Sequence, residues 1–126
     1  MITDIKVNPI DWKKELYIAP KTKIDYDDEG NEIIVYDKPI GPLKFNYQPI
    51  NSSSDIAEFG ENAKIMQKAV IPISYKNQFK EFDVAYLDGA TPNNEINYGD
   101  NANYRLLPPR NGNAVIIIYF EKITGK

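Results

Sequence analysis

The chain contains no cysteine and no histidine among its 126 residues. Without cysteine there is no disulfide framework and no thiol nucleophile. Without histidine, the serine–histidine pair of a hydrolase and the usual zinc ligand sets are excluded. Any general acid or base would have to be a carboxylate, a lysine or a tyrosine. We therefore expect no metal and no other cofactor, and we predict that the chain is not an enzyme.

Strong charge of either sign and long apolar runs are also missing. The net charge at pH 7 is -3, which argues against a dedicated nucleic-acid-binding protein, because such proteins usually present a basic surface. No run approaches the roughly 18 apolar residues that a membrane-spanning helix needs. Residues 1–11 lack the basic region and apolar core of a secretory signal. We expect a soluble protein without a membrane partner.

The residues that are abundant favour β-structure. Nine tyrosines and five phenylalanines, with many isoleucines and valines, favour strands, while nine prolines and seven glycines break the chain often. The length suits one domain with its own core. The sequence predicts an all-β, mostly antiparallel fold, a small β-barrel or sandwich with at most one short helix. Residues 1–13 are predicted to be an N-terminal arm, and residues 14–126 a single β-barrel domain.

Turn residues and hydrophobic patterns divide the domain into short strands. Lys14 to Ala19 is the first predicted strand. A turn signal around Glu29 and Gly30 predicts a hairpin that returns through Ile33 to Tyr36. The alternation of Leu43, Phe45 and Tyr47 with polar residues predicts a strand with one solvated face.

Later strands follow from apolar runs. Pro72 lies inside the run from Ile65 to Tyr75, which predicts an edge strand or a bulge, because proline lacks a ladder donor. Phe82 to Leu87 and Tyr104 to Leu107 are two further predicted strands. Val115 to Phe120 is apolar on both faces and is predicted to lie centrally in the sheet.

Residues 52–62 are a candidate contact segment. Three serines followed by Asp55 to Phe59 predict a short capped helix that ends at Gly60. Phe59 would be costly to leave in solvent without a packing partner. We expect this segment to be an excursion that faces a partner or a channel. Its candidate contact residues are Ser53, Asp55, Phe59 and Glu61.

The loop over residues 88–103 is a second candidate contact segment. It is too long for an ordinary hairpin connection, and long loops in compact domains are often functional. Its five asparagines offer donors and acceptors without net charge, and Tyr98 is a rigid aromatic anchor of the kind that dominates binding energy. The candidate contacts are Asn94, Asn97 and Tyr98. The alternative is a solvated loop without a role.

The sequence gives only weak signals for a metal site or a catalytic site. Asp25 to Gly30 resembles the start of a calcium loop, but Tyr36 stands where the bidentate carboxylate is needed, so we expect no calcium site. Glu58 with Glu61, or Asp83 with Asp88, leave a carboxylate-dependent hydrolase open as the least favoured alternative.

Tyrosines on the predicted strands raise another alternative. They could stack the bases of a single strand, as on an oligonucleotide-binding barrel, although the core is the more common destination for such residues. A monomeric small-barrel binding module, for an oligonucleotide or a peptide, is therefore the alternative function. The tyrosines concerned are Tyr47, Tyr75, Tyr104 and Tyr119.

The order of these features resembles the small head-closure, or stopper, proteins of long-tailed bacteriophages. Three parts of the chain carry the resemblance. They are the hairpin from Leu16-Tyr17-Ile18 to Ile34-Val35-Tyr36; the segment Phe59-Gly60-Glu61-Asn62 with the strand Ile65 to Ile73; and Phe82 to Gly89, Ala102 to Arg105 and Ile116 to Lys122.

The resemblance implies a structural virion protein at the junction of capsid and tail, made in the host cytoplasm. It implies that the barrel pairs with itself in a ring, between an adaptor or portal-side connector protein and a tail-side terminator or tube protein. The ring would close the DNA channel and touch the packaged DNA transiently. A neutral to acidic channel suits that role, because basic groups supply most of the affinity for DNA phosphates.

Overall fold

Antiparallel strands dominate the computed structural model, which describes residues 14–92, 98–99 and 101–123. The predicted arm and Asn94 and Asn97 of the long loop lie outside these described residues. Ten strands, one α-helix and two 3-10 turns form the described part of the chain. The strands are β1 (Lys14–Ala19), β2 (Lys21–Tyr26), β3 (Glu32–Tyr36), β4 (Ile40–Phe45), β5 (Tyr47–Pro49), β6 (Met66–Pro72), β7 (Val84–Tyr86), β8 (Tyr104–Leu106), β9 (Arg110–Asn111) and β10 (Val115–Lys122). The helix α1 spans Ser53–Phe59, and the 3-10 turns span Gly60–Ile65 and Ile73–Tyr75.

The main sheet curls into a nearly closed barrel, which confirms the predicted fold class. Its strands follow the order β4-β1-β7-β8-β10-β6-β5, with β9 added beside β10. The two ends of that order, β4 and β5, are consecutive in the chain and are separated by Asn46. The chain therefore pairs with β1 before Asn46 and with β6 after it. This change of partner brings the two edges of the sheet together.

β10 is the central strand, as its sequence predicted. It pairs with β6 along seven positions and with β8 and β9 on its other side. Ile116, Ile118 and Phe120 are buried in the barrel core. Ile117 is half-buried on the outer face, opposite the exposed Val70. The outer face of this strand is therefore less covered than its inner face, although the residues on both faces are apolar.

In the described part of the chain, β6 has a strand on both sides over Gln67–Ala69 but on one side only over Val70–Pro72, so the predicted edge is confined to the Pro72 end of the strand. It lies between β10 and β5. Pro72 is its last residue, opposite Val115. A proline is tolerated there because the chain leaves the strand and turns into the 3-10 segment Ile73–Tyr75.

The barrel core is filled by side chains from the strands that surround it. Phe45 contacts Tyr75 and Phe79 edge-to-face, with ring centroids 5.2 and 6.3 Å away. Tyr47 and Phe120 form another edge-to-face pair at 6.4 Å. The alternation of Leu43, Phe45 and Tyr47 does point these side chains inward, because all three are buried or half-buried in the core.

The predicted hairpin exists, but its first strand was misassigned. β1 belongs to the barrel, where it pairs with β4 and β7. The strand that pairs with β3 is β2, and the two form a separate two-stranded sheet. Pro20 separates β1 from β2. The chain thus leaves the barrel at Pro20 to form a ribbon outside it.

Candidate interaction surface

The β2–β3 hairpin exposes large apolar side chains outside the barrel. Ile24 lies opposite Ile34, and these residues are 43% and 41% exposed. Tyr26, two residues along the same face, is 62% exposed, and Ile33 on the other face is 45% exposed. A two-stranded hairpin is marginally stable by itself in water. Exposed apolar surface on such an element is typical of a protein interface.

The tip of the hairpin is held by Asp27. Its Oδ1 accepts hydrogen bonds from the backbone N–H groups of Glu29 and Asn31, at 2.9 and 2.8 Å. Its Oδ2 accepts from the side chain of Asn31 at 3.2 Å. These bonds, led by the one from the Asn31 backbone, lower the pKa of Asp27. The carboxylate therefore stabilises the turn, and the expectation of no calcium site here stays a prediction.

The root of the hairpin is fixed by Asp83, a carboxylate that is only 2% exposed. Its Oδ1 accepts from the backbone N–H of Lys21, and its Oδ2 from that of Lys80, both at 2.9 Å. Burial raises the pKa of Asp83, and the two backbone donors oppose that shift. Asp83 thus ties the first residue of β2 to the segment that leads into β7.

Tyr36 packs the other end of the hairpin against the barrel. It lies beside a small cluster that contains Ala19, Val84 and Tyr86. Gly99 touches the same ring: a Cβ added there would lie 2.7 Å from a ring carbon of Tyr36, and its φ is +82°. Glycine is needed here for both space and backbone conformation. The root of the hairpin is therefore fixed, while its middle and tip project into solvent.

A groove marks the place where the barrel is not closed. It lies between β4 and the end of β6, and its volume is about 490 Å³. β5 pairs with β6 over Gln67–Ala69, so the ladder stops before Val70. The groove is mostly apolar, and its lining includes Phe45, Val70, Ile71, Pro72, Tyr75 and Val115. We call this groove the seam.

Helix α1 forms where the sequence predicted it. The side chain of Ser52 caps it by accepting from the backbone N–H of Asp55 at 3.2 Å. Gly60 ends it with φ +59°, a conformation that glycine adopts without cost. The helix packs on the outer face of the barrel.

Asp55 holds α1 against the barrel. It is 6% exposed, and its Oδ1 accepts from Oη of Tyr119 at 2.6 Å, while its Oδ2 accepts from Nζ of Lys68 at 3.0 Å. The bond from Tyr119, with help from Lys68 and Ser52, lowers the pKa of Asp55. This carboxylate is engaged within the fold.

An arginine links the other end of α1 to β9. Arg110 donates two hydrogen bonds to Glu58, and they hold the pKa of Glu58 below its usual range. Its guanidinium also lies 4.8 Å from the ring centroid of Tyr119. Phe59 packs on the same tyrosine, with centroids 4.9 Å apart.

The structure separates the candidate contacts of residues 52–62 into two groups. Asp55 and the half-buried Phe59 pack against the barrel, so this part of the segment is not the excursion that we expected. Ser53 and Glu61 are exposed. Contact between these two residues and a partner stays a prediction.

Part of the long loop has a structural role. The side chain of Asn103 pairs with the backbone of Leu87, accepting from its N–H at 3.0 Å and donating to its C=O at 2.9 Å. Asn101 accepts from Oη of Tyr86 at 3.0 Å. Tyr98 is half-buried in a turn, next to Gly99 and the hairpin root. Gly99 of the loop therefore lies beside the hairpin, and the role of the loop as an interface stays a prediction.

The carboxylates named for the hydrolase alternative are already hydrogen-bonded within the fold. Each of the four accepts hydrogen bonds within the fold: Glu58 from Arg110, Glu61 from Lys64, Asp83 from two backbone amides, and Asp88 from Tyr47 and Tyr104. A glycosidase-type site needs two carboxyls that face a substrate between them. This geometry gives that alternative no support.

The tyrosines of the stacking alternative are mostly inside. Tyr47, Tyr104 and Tyr119 are buried, and Tyr75 is half-buried in contact with the core. A base-stacking surface requires exposed aromatic faces. These four side chains therefore serve the fold, which was the more common destination for them.

Two features of this surface were missed in the sequence. One is strand β2, whose residues Thr22, Ile24 and Tyr26 alternate with Lys21, Lys23 and Asp25, a period of two that predicts a strand. The other is the seam, for which the sequence has no local signal, because it arises where two distant strands diverge.

Metal clusters and membrane helices are both missing from the described part of the chain. Over residues 14–92, 98–99 and 101–123, no group of three or more acidic side chains could hold a metal ion. In the same ranges, no helix has the length and hydropathy needed to cross a bilayer. Comparison with known proteins found no matching family model, no matching curated protein and no matching solved structure.

Proposed function

We propose that this chain is a structural subunit that assembles through its β2–β3 hairpin, and that the assembly is a ring in the head–tail connector of a long-tailed bacteriophage. The observation that carries assembly is the exposed apolar ribbon formed by Ile24, Tyr26, Ile33 and Ile34. The resemblance of the sequence to head-closure proteins supplies the connector assignment. In that role the ring closes the DNA channel and joins the capsid to the tail.

The charge of the hairpin supports contact with protein in preference to DNA. Four exposed acids lie on its tip and on its two strands: Asp25, Asp28, Glu29 and Glu32. DNA phosphates would be repelled by such a cluster, because their affinity for proteins comes mainly from lysine and arginine. An acidic element at a connector channel would let DNA slide without being trapped. Its neighbours in the ring and in the adaptor and tail proteins would be its partners.

The proposal is tested by sedimentation velocity and negative-stain electron microscopy of the purified chain. Both are done on the chain alone and with the proteins encoded by neighbouring genes. We expect closed rings. We expect the double variant Ile24→Ser, Ile34→Ser to need a concentration roughly tenfold higher or more for half-assembly. The reason is that it loses two apolar side chains that the proposed interface would bury.

The matched control is Ile56→Ser. Ile56 is 47% exposed on α1, so the substitution removes a similar side chain away from the hairpin. We expect it to leave assembly unchanged. A chain that stays monomeric under every condition would contradict the proposal.

A second function has one observation in its favour. The seam offers a mostly apolar groove beside unpaired strand edges, and an extended peptide binds to such a site by adding a strand. A monomeric peptide-binding barrel would use the seam and have no need of the exposed hairpin. The hairpin variant separates the two functions, because a peptide-binding barrel would not change its oligomeric state.

A further inference from the structure

Two strand edges face each other across the seam. Within the described residues, Val70–Pro72 of β6 pair with β10 on one side and have no strand on the other. On the opposite wall of the groove, β4 pairs with β1 on its far side. Backbone groups on such edges form a template for a strand from another chain. The apolar floor between them offers contacts for that strand's side chains.

The hairpin has the features that would fill this groove. β2 and β3 pair with each other in a sheet of two strands, so the outer edge of each is open within the described chain. Ile24 and Ile34 stand side by side on one face. A strand of the hairpin placed in the seam would pair its backbone and bury these side chains together.

Charge also matches between the two surfaces. The hairpin carries four exposed acids against one exposed lysine, Lys23, while the lining of the seam includes the exposed Lys44. Glu15, which lies opposite Lys44 on β1, is the acid nearest in register to that lysine. Opposite charges on two surfaces speed their encounter and fix their orientation.

The hairpin and the seam occupy different parts of the barrel wall. The root of the hairpin is bonded to Asp83, next to β7, whereas the seam lies between β4 and β6. One copy therefore offers a hairpin on one side and a groove on another. Contacts that join such unlike surfaces are head-to-tail, and they close into a ring when the rotation between copies allows it.

We infer that the β2–β3 hairpin of one copy adds a strand to the seam of a second copy of this chain. This inference rests on the proposed ring and names the two surfaces that build it. Each copy in the ring would complete the barrel wall of its neighbour.

The lack of cysteine in the chain gives a direct test. Two single-cysteine variants, Ile34→Cys and Val70→Cys, are mixed at a concentration at which the parent assembles, and a short bifunctional thiol cross-linker is added. Both positions are exposed, so the folded barrel is expected in each, which circular dichroism checks. The control mixture replaces Ile34→Cys with Lys122→Cys. Lys122 is exposed at the opposite end of β10 from the seam residue Val115.

We expect a covalent dimer in the mixture of Ile34→Cys and Val70→Cys, at least tenfold more abundant than in the control. A dimer formed equally well by Ile34→Cys alone would show that two hairpins pack together, and would overturn the inference. So would assembled protein without the mixed product, because the hairpin of one copy would then not lie in the seam of another. In both cases assembly of the chain would still stand, whereas a chain that never assembles would remove the proposed function as well as this inference.

Discussion

Tyr119→Phe is the sharpest test of how α1 is held to the barrel. The substitution keeps the aromatic ring, which lies 4.9 Å from the ring of Phe59 and 4.8 Å from the guanidinium of Arg110. It removes the hydroxyl that donates to Asp55 Oδ1 at 2.6 Å. The loss is therefore one hydrogen bond to a buried carboxylate, with little change in packing.

The expected loss of stability follows from that bond. Hydrogen bonds to charged groups contribute about 1.5–3 kcal/mol. Lys68 remains 3.0 Å from Asp55 Oδ2 and still compensates the charge, so we expect the lower end, about 1.5 kcal/mol.

The effect should depend on pH. The pKa of Asp55 is lowered in the folded chain, first by the bond from Tyr119. A carboxyl with a lowered folded pKa stabilises the fold above its unfolded pKa, and that contribution is lost as the pH falls through the folded pKa. Removing the hydroxyl removes part of this contribution. The difference between parent and variant should therefore shrink as the solution is acidified below about pH 4.

Urea unfolding at pH 7 and at about pH 3 measures both quantities, with the midpoint and slope fitted for each protein. Tyr26→Phe is the control, because Tyr26 is exposed on the hairpin and its change should stay within about 0.5 kcal/mol. Equal stability of Tyr119→Phe and parent at pH 7 would refute the structural role of this bond. A difference that is constant with pH would refute its coupling to Asp55.

Three further predictions concern the core, the hairpin root and the hairpin tip. Ile118→Asp should abolish cooperative unfolding because it buries an unpaired charge, whereas Ile117→Asp, at a half-buried position on the outer face of β10, should leave a folded domain. Circular dichroism melts compare the two variants. Equal melting behaviour would mean that the inward-facing residues of β10 are wrongly assigned. Burial raises the pKa of Asp83, so ionisation of this carboxyl lowers the free energy of unfolding as the pH rises from its unfolded to its folded pKa. In urea titrations, Asp83→Asn should remove this decline in stability with pH. A decline of unchanged size in the variant would exclude Asp83 as its source. Calorimetric titration with calcium should show no site of micromolar strength at residues 25–32, since a bidentate carboxylate is missing, and a saturable micromolar isotherm would contradict this.

Local patterns predicted those elements whose signals lie close together in the sequence. Helix α1 was predictable because Ser52 and Gly60 supply a cap and a stop at its two ends. The central place of β10 was predictable because an apolar run without polar alternation is typical of an inner strand, and it was found there although its outer face is only partly covered. Pro72 predicted an edge, and among the described strands β6 lacks a second partner only at its Pro72 end, because a proline reports a missing donor at its own position and not along the whole strand.

Strand partners were harder to predict than strands. The hairpin was paired wrongly because β1 and β2 are separated by Pro20 alone, and the alternation from Lys21 to Tyr26 was overlooked. The closure of the barrel at Asn46 depends on which distant strands meet on either side of it. Period-two patterns tell which face of a strand is buried, but they do not name its neighbour.

The candidate site was predicted least well. Asp55 was predicted to be a contact residue, whereas the structure pairs it with Lys68 and Tyr119. These partners are 13 and 64 positions away in the chain, so no local sequence pattern indicates the pairing. The seam is likewise invisible before the strands are placed. The exposed hairpin could have been found, because an apolar strand beside an acidic turn is local.

The proposed connector role is tested most directly by high-resolution electron microscopy of tailed particles made by a bacteriophage or prophage whose genome carries this sequence. We predict a ring of copies of this barrel at the junction of capsid and tail, with the β2–β3 hairpin of each copy against its neighbour. Purified, infectious particles that contain no copy of the chain at this junction would contradict the account.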